Sequence, residues 1–307
     1  MLESILLFEI LKNKMGVAEK IVRENFQENK FLIQKLWAGY GELYRYYFEG
    51  NNYIIKNIKF PVNLSHPKGW NTNIGDLRKR KSYEVEKLFY QQYSDQIGEK
   101  CRLPKFFDCE VTNLGMTLVI EDLHESGFND LKMVFTFEEL KVVVSWLAKF
   151  HAINMNKYFP ELWKEGTYWY LDTRKEEFDR MEDGEHKQKA KEWSDRLINC
   201  KYKTLLHGDA KYANFLWSDK GEVAAVDFQY TGKGCGMKDL IYLFSCDTSF
   251  NHLHDNLLQY YFQELSKFYE GDDVVEIIKE WHAMFEIARK DFERFLIGWS
   301  PDHWKLN

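Results

Sequence analysis

The feature that most constrains this chain is a polar segment between two short apolar runs in its second half. The pair Leu205-Leu206 leads into His207-Gly208-Asp209-Ala210-Lys211-Tyr212-Ala213-Asn214, which has the pattern H-x-D-x-K-x-x-N. A second apolar run, residues 223–226, ends in Asp227. Two carboxylates and an amide on loops beside short strands can hold Mg²⁺ on a nucleotide's phosphates and orient an attacking hydroxyl. The sequence therefore predicts a phosphoryl-transfer site at these loops.

Each of these polar residues also has a simpler explanation. Asp209 and Asn214 could cap turns through their side-chain oxygens, and Asp227 could end a buried strand. For any one of them taken alone, that explanation is the better one. All three together, with Lys211 two positions after Asp209, favour the site.

Composition limits the class of protein and its partners. An apolar fraction of 45% in 307 residues indicates a globular chain with a sizeable core. A net charge of −6 argues against a nucleic-acid or anionic-membrane surface, so a phosphate site has to be locally basic. Five scattered cysteines without a C-x-x-C pair suit reduced thiols, and no apolar run reaches the length of a membrane span. We expect a soluble, cytoplasmic protein without a nucleic-acid or membrane partner; the sequence leaves its oligomeric state open.

The first third of the chain alternates between predicted strands and turns. The pattern predicts a helix over 6–23, strands over 31–37, 43–48 and 53–60, and further strands over 105–111 and 116–120. Gly39 and Gly41 lie in the first turn, where their backbone N–H groups could approach phosphate oxygens. Taken in isolation, Gly39-x-Gly41 is better explained as an ordinary hairpin turn.

Lys56 lies inside a predicted apolar strand, where an unpaired ammonium is costly. It therefore needs an anionic partner, and Lys59, nearer the strand end, is the competing candidate. We expect an exposed loop over 61–81 and then a helix with Ser82 as its N-cap. Near that helix start, Glu84 and Glu86 are either solvated first-turn acids, or one of them pairs with Lys56, with Glu86 the better candidate.

The second half is predicted to be mainly helical. Apolar spacing predicts a helix from Phe137 to His151, and we interpret His151 as a core histidine rather than a catalytic one. The glycines at 232, 234 and 236 indicate a mobile or tightly turned segment before another helix at 237–244. The tail over 256–299 has the spacing of amphipathic helix.

These elements predict an α+β chain of two lobes. Residues 1–122 form an N-terminal antiparallel β-sheet lobe that binds the nucleotide, and residues 123–307 form a helical catalytic and substrate lobe. We expect the nucleotide in a cleft between them.

Taken in order, these motifs resemble those of the protein-kinase-like small-molecule kinases. The resemblance covers the choline and aminoglycoside kinase superfamily and is strongest to the ecdysteroid-kinase-like, or CHK-like, group. The spacing from Asp209 to Asn214 equals that of H-R-D-x-x-x-x-N in protein kinases. The segments that carry the resemblance are 53–56, 86–90, 118–123, 147–152, 207–214, 226–229 and 237–240.

The resemblance implies ATP and Mg²⁺ as cofactors and gives the chemical residues their roles. Asp209 would orient the acceptor hydroxyl or accept its proton, while Asn214 and Asp227 would hold Mg²⁺. Lys211 would neutralise charge on the transferred phosphoryl group. Lys56, held by Glu86, would contact the α- and β-phosphates.

The resemblance also implies supporting residues. Ile120, Glu121, Asp122 and Leu123 would offer backbone groups to adenine, and Gly39 and Gly41 would lie over the phosphates. His207 and Asp239 would brace the catalytic loop. Gln229 stands where protein kinases have glycine, so no activation-loop switch is expected, and Gly39-x-Gly41 is shorter than the full G-x-G-x-x-G motif.

The phosphate acceptor is less constrained. Trp281, Asp291 and Trp299 could bind a cation such as choline through cation–π contacts, although packing at helical spacing explains them better. An aminoglycoside or an apolar alcohol such as a sterol is also possible. We expect an ATP- and Mg²⁺-dependent small-molecule kinase; the alternative is a catalytically inactive nucleotide-binding protein of the same fold.

Overall fold

The structure is a computed structural model that describes residues 16–23, 29–61 and 72–303. Its α-helices are Val17–Arg23, Asn73–Gln92, Ser94–Gly98, Phe137–Ile153, Lys175–Asp179, Glu185–Ile198, Met237–Phe244, His254–Phe268 and Val274–Trp299. Its strands are β1 Lys30–Lys35, β2 Gly41–Phe48, β3 Asn51–Lys59, β4 Phe106–Thr112, β5 Gly115–Glu121, β6 Asp130–Leu131, β7 Thr204–Leu206, β8 Phe215–Trp217, β9 Val223–Ala225 and β10 Gly232–Gly234. Part of the predicted first helix, residues 6–15, lies outside the described residues.

The described chain divides into two compact units. The first comprises residues 1–81 and 104–127, and the second comprises 82–103 and 128–307, within the described ranges. The first unit is built on an antiparallel sheet and the second is mainly helical, so the predicted α+β class is confirmed. The predicted lobe limits, 1–122 and 123–307, stay a prediction.

A five-stranded antiparallel sheet with the order β1-β2-β3-β5-β4 forms the first unit. It contains the predicted strands, with β3 at its centre. One face is covered by the helix Val17–Arg23, where Ala18 packs with Ile55 and Val119 in a buried apolar cluster. Burying that cluster fixes the register, because a slip of one residue would turn the apolar side chains to the other face.

The predicted loop over 61–81 is wrong for the residues from 73 onward. A helix begins at Asn73 and continues to Gln92, so Ser82 lies within the helix and does not cap it. Thr72 precedes this helix, and its Oγ1 accepts a hydrogen bond from the N–H of Gly75 at 3.1 Å. As expected for a helix start, a hydroxyl side chain accepts from one of the first unpaired N–H groups. That side chain belongs to Thr72 and not to Ser82. Residues 62–71 lie outside the described part of the chain.

The second unit is dominated by three long helices. Phe137–Ile153 begins with a capping box between Thr136 and Glu139. Ser145 on this helix donates a hydrogen bond to Glu264 on His254–Phe268 at 2.6 Å. The predicted helices over 137–151, 237–244 and most of 256–299 are confirmed.

Two small antiparallel ladders in the second unit position its loops. β7 pairs with β10, with Leu206 opposite Gly232, and β8 pairs with β9, with Phe215 opposite Ala225. The segment with three glycines is therefore partly a strand, which corrects the prediction of a mobile or turned segment. A Cβ at Gly232 would lie 2.2 Å from the carbonyl oxygen of Trp163, so glycine is needed there for close packing.

Within the described residues, no helix has both the length and the apolar character needed to cross a membrane. The five cysteines are all free thiols.

Candidate phosphoryl-transfer site

Strand pairing brings the two polar loops of the second unit together. Asn214 directly precedes β8 and residue 226 directly follows β9, and the antiparallel pairing of these strands places both at the same end of the ladder. The N–H of Val226 donates a hydrogen bond to the carbonyl of Asn214 at 2.9 Å. Asp227 therefore follows immediately after the residue that is bonded to Asn214.

Asp209, Lys211 and Asn214 form one hydrogen-bonded cluster. The Asn214 amide nitrogen donates to the Asp209 carbonyl at 2.7 Å and to its Oδ2 at 3.0 Å, while Lys211 Nζ lies 2.9 Å from the same Oδ2. The Asp209 carboxylate is thus held from two sides. Because the amide nitrogen makes both bonds, the amide oxygen of Asn214 points to the other side.

The charge of this cluster acts on Lys211. Its pKa is raised above the ordinary lysine value, mainly by the Asp209 carboxylate and further by Asp227, which outweigh partial burial. Lys211 therefore remains an ammonium ion at all physiological pH values, with a side chain that is 38% exposed.

Asp227 adopts a backbone conformation that is rare for a residue with a side chain, with φ of +69°. Its Oδ1 accepts a hydrogen bond from Gln229 Nε2 at 2.5 Å. The intervening Phe228 is fully buried and stacks on Phe89, with ring centroids 4.1 Å apart. Apolar packing on both sides of the turn thus supports a strained residue at its start.

The start of the loop that carries Asp209 is held by Asp239, in the first turn of the helix Met237–Phe244. Its carboxylate accepts hydrogen bonds from the N–H groups of His207 at 2.7 Å and Gly208 at 2.9 Å. It also contacts Nε2 of His151 at 3.1 Å, and Nδ1 of that ring lies 2.8 Å from the Tyr261 hydroxyl. His151 is completely buried, so the interpretation as a core histidine is confirmed.

His207 supports the loop from inside. Its Nε2 lies 3.0 Å from the Val226 carbonyl, and its Nδ1 accepts from the N–H of Asp209 at 3.2 Å, so the ring joins both polar loops. Burial lowers the pKa of His207 from its ordinary value, against the opposing effect of nearby carboxylates. The neutral ring with its proton on Nε2 satisfies both contacts. Gly208 has φ of +82°, and a Cβ there would lie 2.0 Å from the Tyr230 carbonyl oxygen, so glycine is required.

In the first unit, the structure separates the two candidate phosphate lysines. Lys56 is only 6% exposed in the central strand, opposite Leu43 and Leu118, whereas Lys59 is exposed at the strand end. Gly41 has φ of +119°, and a Cβ there would lie 2.0 Å from the Asn57 carbonyl oxygen. Gly39 also has positive φ, but the space around its Cα is open.

The predicted adenine-binding segment is held by its own side chains. Asp122 pairs with Arg45 and caps the short 3₁₀-helix Leu123–Ser126 by accepting from the N–H of His124 at 3.2 Å. Glu121 accepts from Ser126 Oγ at 2.5 Å. Ile120 and Leu123 are buried.

Of the two candidate acids on the helix Asn73–Gln92, Glu86 is buried and Glu84 is exposed. Glu86 raises the pKa of the buried Tyr90 hydroxyl, after the larger effect of burial itself, and Asp227 adds to the shift. Glu86 therefore lies in the electrostatic environment of the Asp227 loop, within the second unit.

The three predicted substrate residues on the last helix lie in different surroundings. Trp281 is fully buried and donates its Nε1–H to the Tyr202 carbonyl at 3.0 Å. Asp291 is buried in an ion pair with Arg294 at 2.8 Å. Trp299 is partly exposed and stacks on Phe295 at 6.1 Å. The first two make contacts typical of a helical core, which is the explanation that the sequence favoured.

The structure adds Tyr168, which the sequence did not single out. Its N–H donates to the Gly208 carbonyl at 3.2 Å, directly beside Asp209 in the chain. Burial, and then the charge of Asp209, raise the pKa of the Tyr168 hydroxyl. The preceding Thr167 has φ of +102°, which is a strained value for a β-branched residue. No local pattern predicts this contact, because Tyr168 lies far from the loop in sequence.

Three aromatic rings pack around Tyr168, and we call the group of four rings the aromatic wall. Its ring contacts those of Tyr230, Tyr242 and Phe295 at centroid distances of 5.8, 5.2 and 5.3 Å. The Arg174 guanidinium lies 5.4 Å from the same ring, and this arginine pairs with Glu177 at 3.0 Å. The wall therefore presents aromatic ring surfaces, and the carboxylate of Glu177 beside it is paired with Arg174.

The chemistry of the donor set suits magnesium. The described residues hold no group of three His, Cys, Asp or Glu side chains arranged around a metal position. Mg²⁺ instead prefers one or two protein oxygens together with waters and substrate phosphates. The Asp227 carboxylate and the Asn214 amide carry oxygens of this kind.

A comparison with protein families gives a match within the second unit. A family model described as the phosphotransferase enzyme family, APH, matches residues 133–272, which is less than half of the chain but includes both polar loops. The curated proteins give no match.

Several solved structures share the fold. The amicoumacin kinase hAmiN, in complex with AMP-PNP, Ca²⁺ and Ami, is 13% identical, covers 93% of this chain and 88% of its own, and has a TM-score of 0.54. The choline kinase LicA from Streptococcus pneumoniae is 14% identical, with coverage of 91% and 96% and a TM-score of 0.53. The aminoglycoside phosphotransferase APH(3'')-Id from Streptomyces rimosus is 12% identical, with coverage of 86% and 96% and a TM-score of 0.51. The chain therefore has a protein-kinase-like fold, as the sequence predicts, and at these identities the likeness shows the fold alone.

The neutral His207 ring generates a prediction on pH. A histidine whose pKa is lower in the folded than in the unfolded protein takes up its proton on unfolding, so stability falls as the pH drops below its ordinary pKa of 6.5. We expect His207→Gln to reduce the dependence of the unfolding free energy on pH below 6.5, as measured by urea denaturation. His252→Gln, at an exposed histidine, is the control. An equal pH dependence in wild type and His207→Gln would contradict the assignment.

Proposed function

We propose that this chain is an ATP- and Mg²⁺-dependent phosphotransferase that phosphorylates a hydroxyl group of a small molecule. The observation that carries the proposal is the cluster of Asp209, Lys211 and Asn214, joined through Val226 to Asp227. The phosphotransferase family match over these loops and the kinase-like fold support it. The narrower assignment to the CHK-like group stays a prediction.

Asp209 is the proposed base. In the transfer step, the acceptor oxygen bonds to the γ-phosphorus, the bond from that phosphorus to the bridging oxygen of ADP breaks, and the hydroxyl proton passes to the Asp209 carboxylate. The bonds from Asn214 and Lys211 to Oδ2 hold the carboxylate in one orientation. Such positioning is a large part of catalysis in phosphoryl transfer, where bond formation in the transition state is weak.

Lys211 and the proposed metal ligands serve to offset the negative charge of the phosphate groups. The permanently charged Lys211 offsets negative charge on the transferred group. Asn214 and Asp227 would hold Mg²⁺, which when bound neutralises phosphate charge. Solved structures of this fold are consistent with nucleotide use, since hAmiN is in complex with AMP-PNP and Ca²⁺ and APH(3'')-Id is in complex with ADP.

The nucleotide-binding residues of the first unit stay predictions. Burial of Lys56 in the central strand favours it over Lys59 as the phosphate lysine, because a buried ammonium needs anionic partners. The proposal also makes Glu86 the partner of Lys56. It places Gly39 and Gly41 over the phosphates and binds adenine at residues 120–123.

We propose that the acceptor binds on the side of Asp209 where Tyr168 lies. The aromatic wall favours a compound with an apolar face, and the pairing of Glu177 and Asp291 with arginines weakens the case for a polycation. A choline-like amino alcohol, an aminoglycoside and a sterol therefore remain separate arms of the test. The experiment incubates the protein with ATP, Mg²⁺ and each compound and measures ADP release together with the phosphorylated product. Mg²⁺-dependent ATP binding without product in any arm would support the alternative of an inactive nucleotide-binding protein.

Removing one proposed carboxylate tests the roles of Asp209 and Asp227. We expect Asp209→Asn and Asp227→Asn each to lower kcat by roughly 100-fold or more, the cost of losing a preorganised charged group, with an unchanged unfolding midpoint. Asp219→Asn, at an exposed acid in the turn between β8 and β9, should retain full activity. Near-normal turnover in either site variant would show that the role proposed for that residue is wrong.

A second prediction concerns the acceptor side. Tyr168→Ala should raise the KM for the acceptor roughly fivefold or more and leave the KM for ATP little changed, because an aromatic contact is worth about 1 kcal/mol. Tyr168→Phe keeps the ring and should retain most of the affinity. Tyr158→Ala removes a tyrosine that is 79% exposed and serves as the control. An unchanged acceptor KM in Tyr168→Ala would place the acceptor elsewhere.

A further inference from the structure

Gln229 makes a set of contacts that the phosphoryl-transfer chemistry does not itself require. Its Nε2 donates to Asp227 Oδ1 at 2.5 Å, and its Oε1 accepts from Ser82 Oγ at 3.2 Å. Its backbone carbonyl accepts from Trp163 Nε1 at 2.8 Å. Gln229 is 5% exposed and Ser82 is fully buried, so water competes little for these bonds.

These bonds connect the helix Asn73–Gln92 to the carboxylate of Asp227. Ser82 belongs to this helix, and the Gln229 side chain links its hydroxyl to Asp227 Oδ1. The turn is held beside it by Phe228, which stacks on Phe89 of the same helix at 4.1 Å. The carboxylate of Asp227, whose φ is +69°, is thus linked through Gln229 to the helix Asn73–Gln92.

The amide is suited to this task by its chemistry. A glutamine offers a donor to the carboxylate and an acceptor to the serine at the same time, and it carries no charge at any pH. A glutamate would place a second negative charge beside Asp227, and an apolar residue would leave Oδ1 and the serine hydroxyl without this bond.

We propose that Gln229 is a positioning residue that fixes the carboxylate of Asp227 for a divalent cation and transmits the position of Ser82 to it. The proposal rests on the proposed function, in which Asp227 is a metal ligand. Residues that orient metal ligands through hydrogen bonds typically change metal affinity about 10- to 100-fold when they are replaced.

The test measures Mn²⁺ binding by electron paramagnetic resonance in the presence of AMP-PNP, which requires no turnover and no acceptor. Gln229→Met, of similar length but without donor or acceptor, should raise the apparent Kd for Mn²⁺ about 10-fold or more. Ser82→Ala should raise it about fivefold, the cost of one ordinary hydrogen bond. Gln92→Met at an exposed end of the same helix, and Ser266→Ala on His254–Phe268, are the matched controls and should leave the Kd unchanged.

A double-mutant cycle separates positioning from general packing. If Ser82 acts through Gln229, the variant with both substitutions should bind Mn²⁺ no more weakly than Gln229→Met alone. Additive losses, or an unchanged Kd in Gln229→Met, would overturn the proposal. Asp227→Asn distinguishes this failure from failure of the proposed function: if Asp227→Asn itself leaves Mn²⁺ binding unchanged, Asp227 is not a metal ligand and the function proposed for it is wrong.

Discussion

The carboxylate of Asp239 is the interaction on which the described site depends. It is 1% exposed and accepts from the N–H groups of His207 and Gly208 while contacting the ring of His151. A buried carboxylate is costly unless donors surround it, so these partners allow it one position. Its place in the first turn of a helix adds the favourable helix dipole. The backbone that leads to Asp209 is therefore fixed from the interior of the second unit.

Apolar packing and strand pairing then hold the neighbouring residues of the site in place relative to this loop. The ring of Phe228 lies against His207 at a centroid distance of 4.7 Å and against Phe89 at 4.1 Å. The ladder of β8 with β9 sets Asn214 beside the residue before Asp227. The polar groups thus sit on a rigid apolar support, which is what preorganised electrostatic catalysis requires. The strain at Asp227 and Thr167 is tolerated because the surrounding contacts over-determine both turns.

The sequence predicts the five strands of the first unit, most helices and the residues of the polar cluster, because those features are set by local spacing. It misplaces the helix start, since Thr72 and Ser82 are both hydroxyl residues before helical spacing and only tertiary packing distinguishes them. It misses the strand at Gly232–Gly234, which exists through pairing with distant β7. Neither the contact of Tyr168 nor the role of Gln229 can be predicted from local sequence, because each depends on partners that are remote in the chain. Ser82 and Gln229, for example, are 147 positions apart.

Amide hydrogen exchange in Asp239→Asn tests the dependence on Asp239 most directly, because asparagine keeps the shape of the side chain and loses its charge. The account predicts that the amides of His207 and Gly208 exchange roughly 10- to 100-fold faster than in wild type, since hydrogen bonds to a charged acceptor contribute about 1.5–3 kcal/mol. Amides within Val274–Trp299 should keep their protection. Unchanged exchange at His207 and Gly208 would contradict the claim that this carboxylate holds the loop in place.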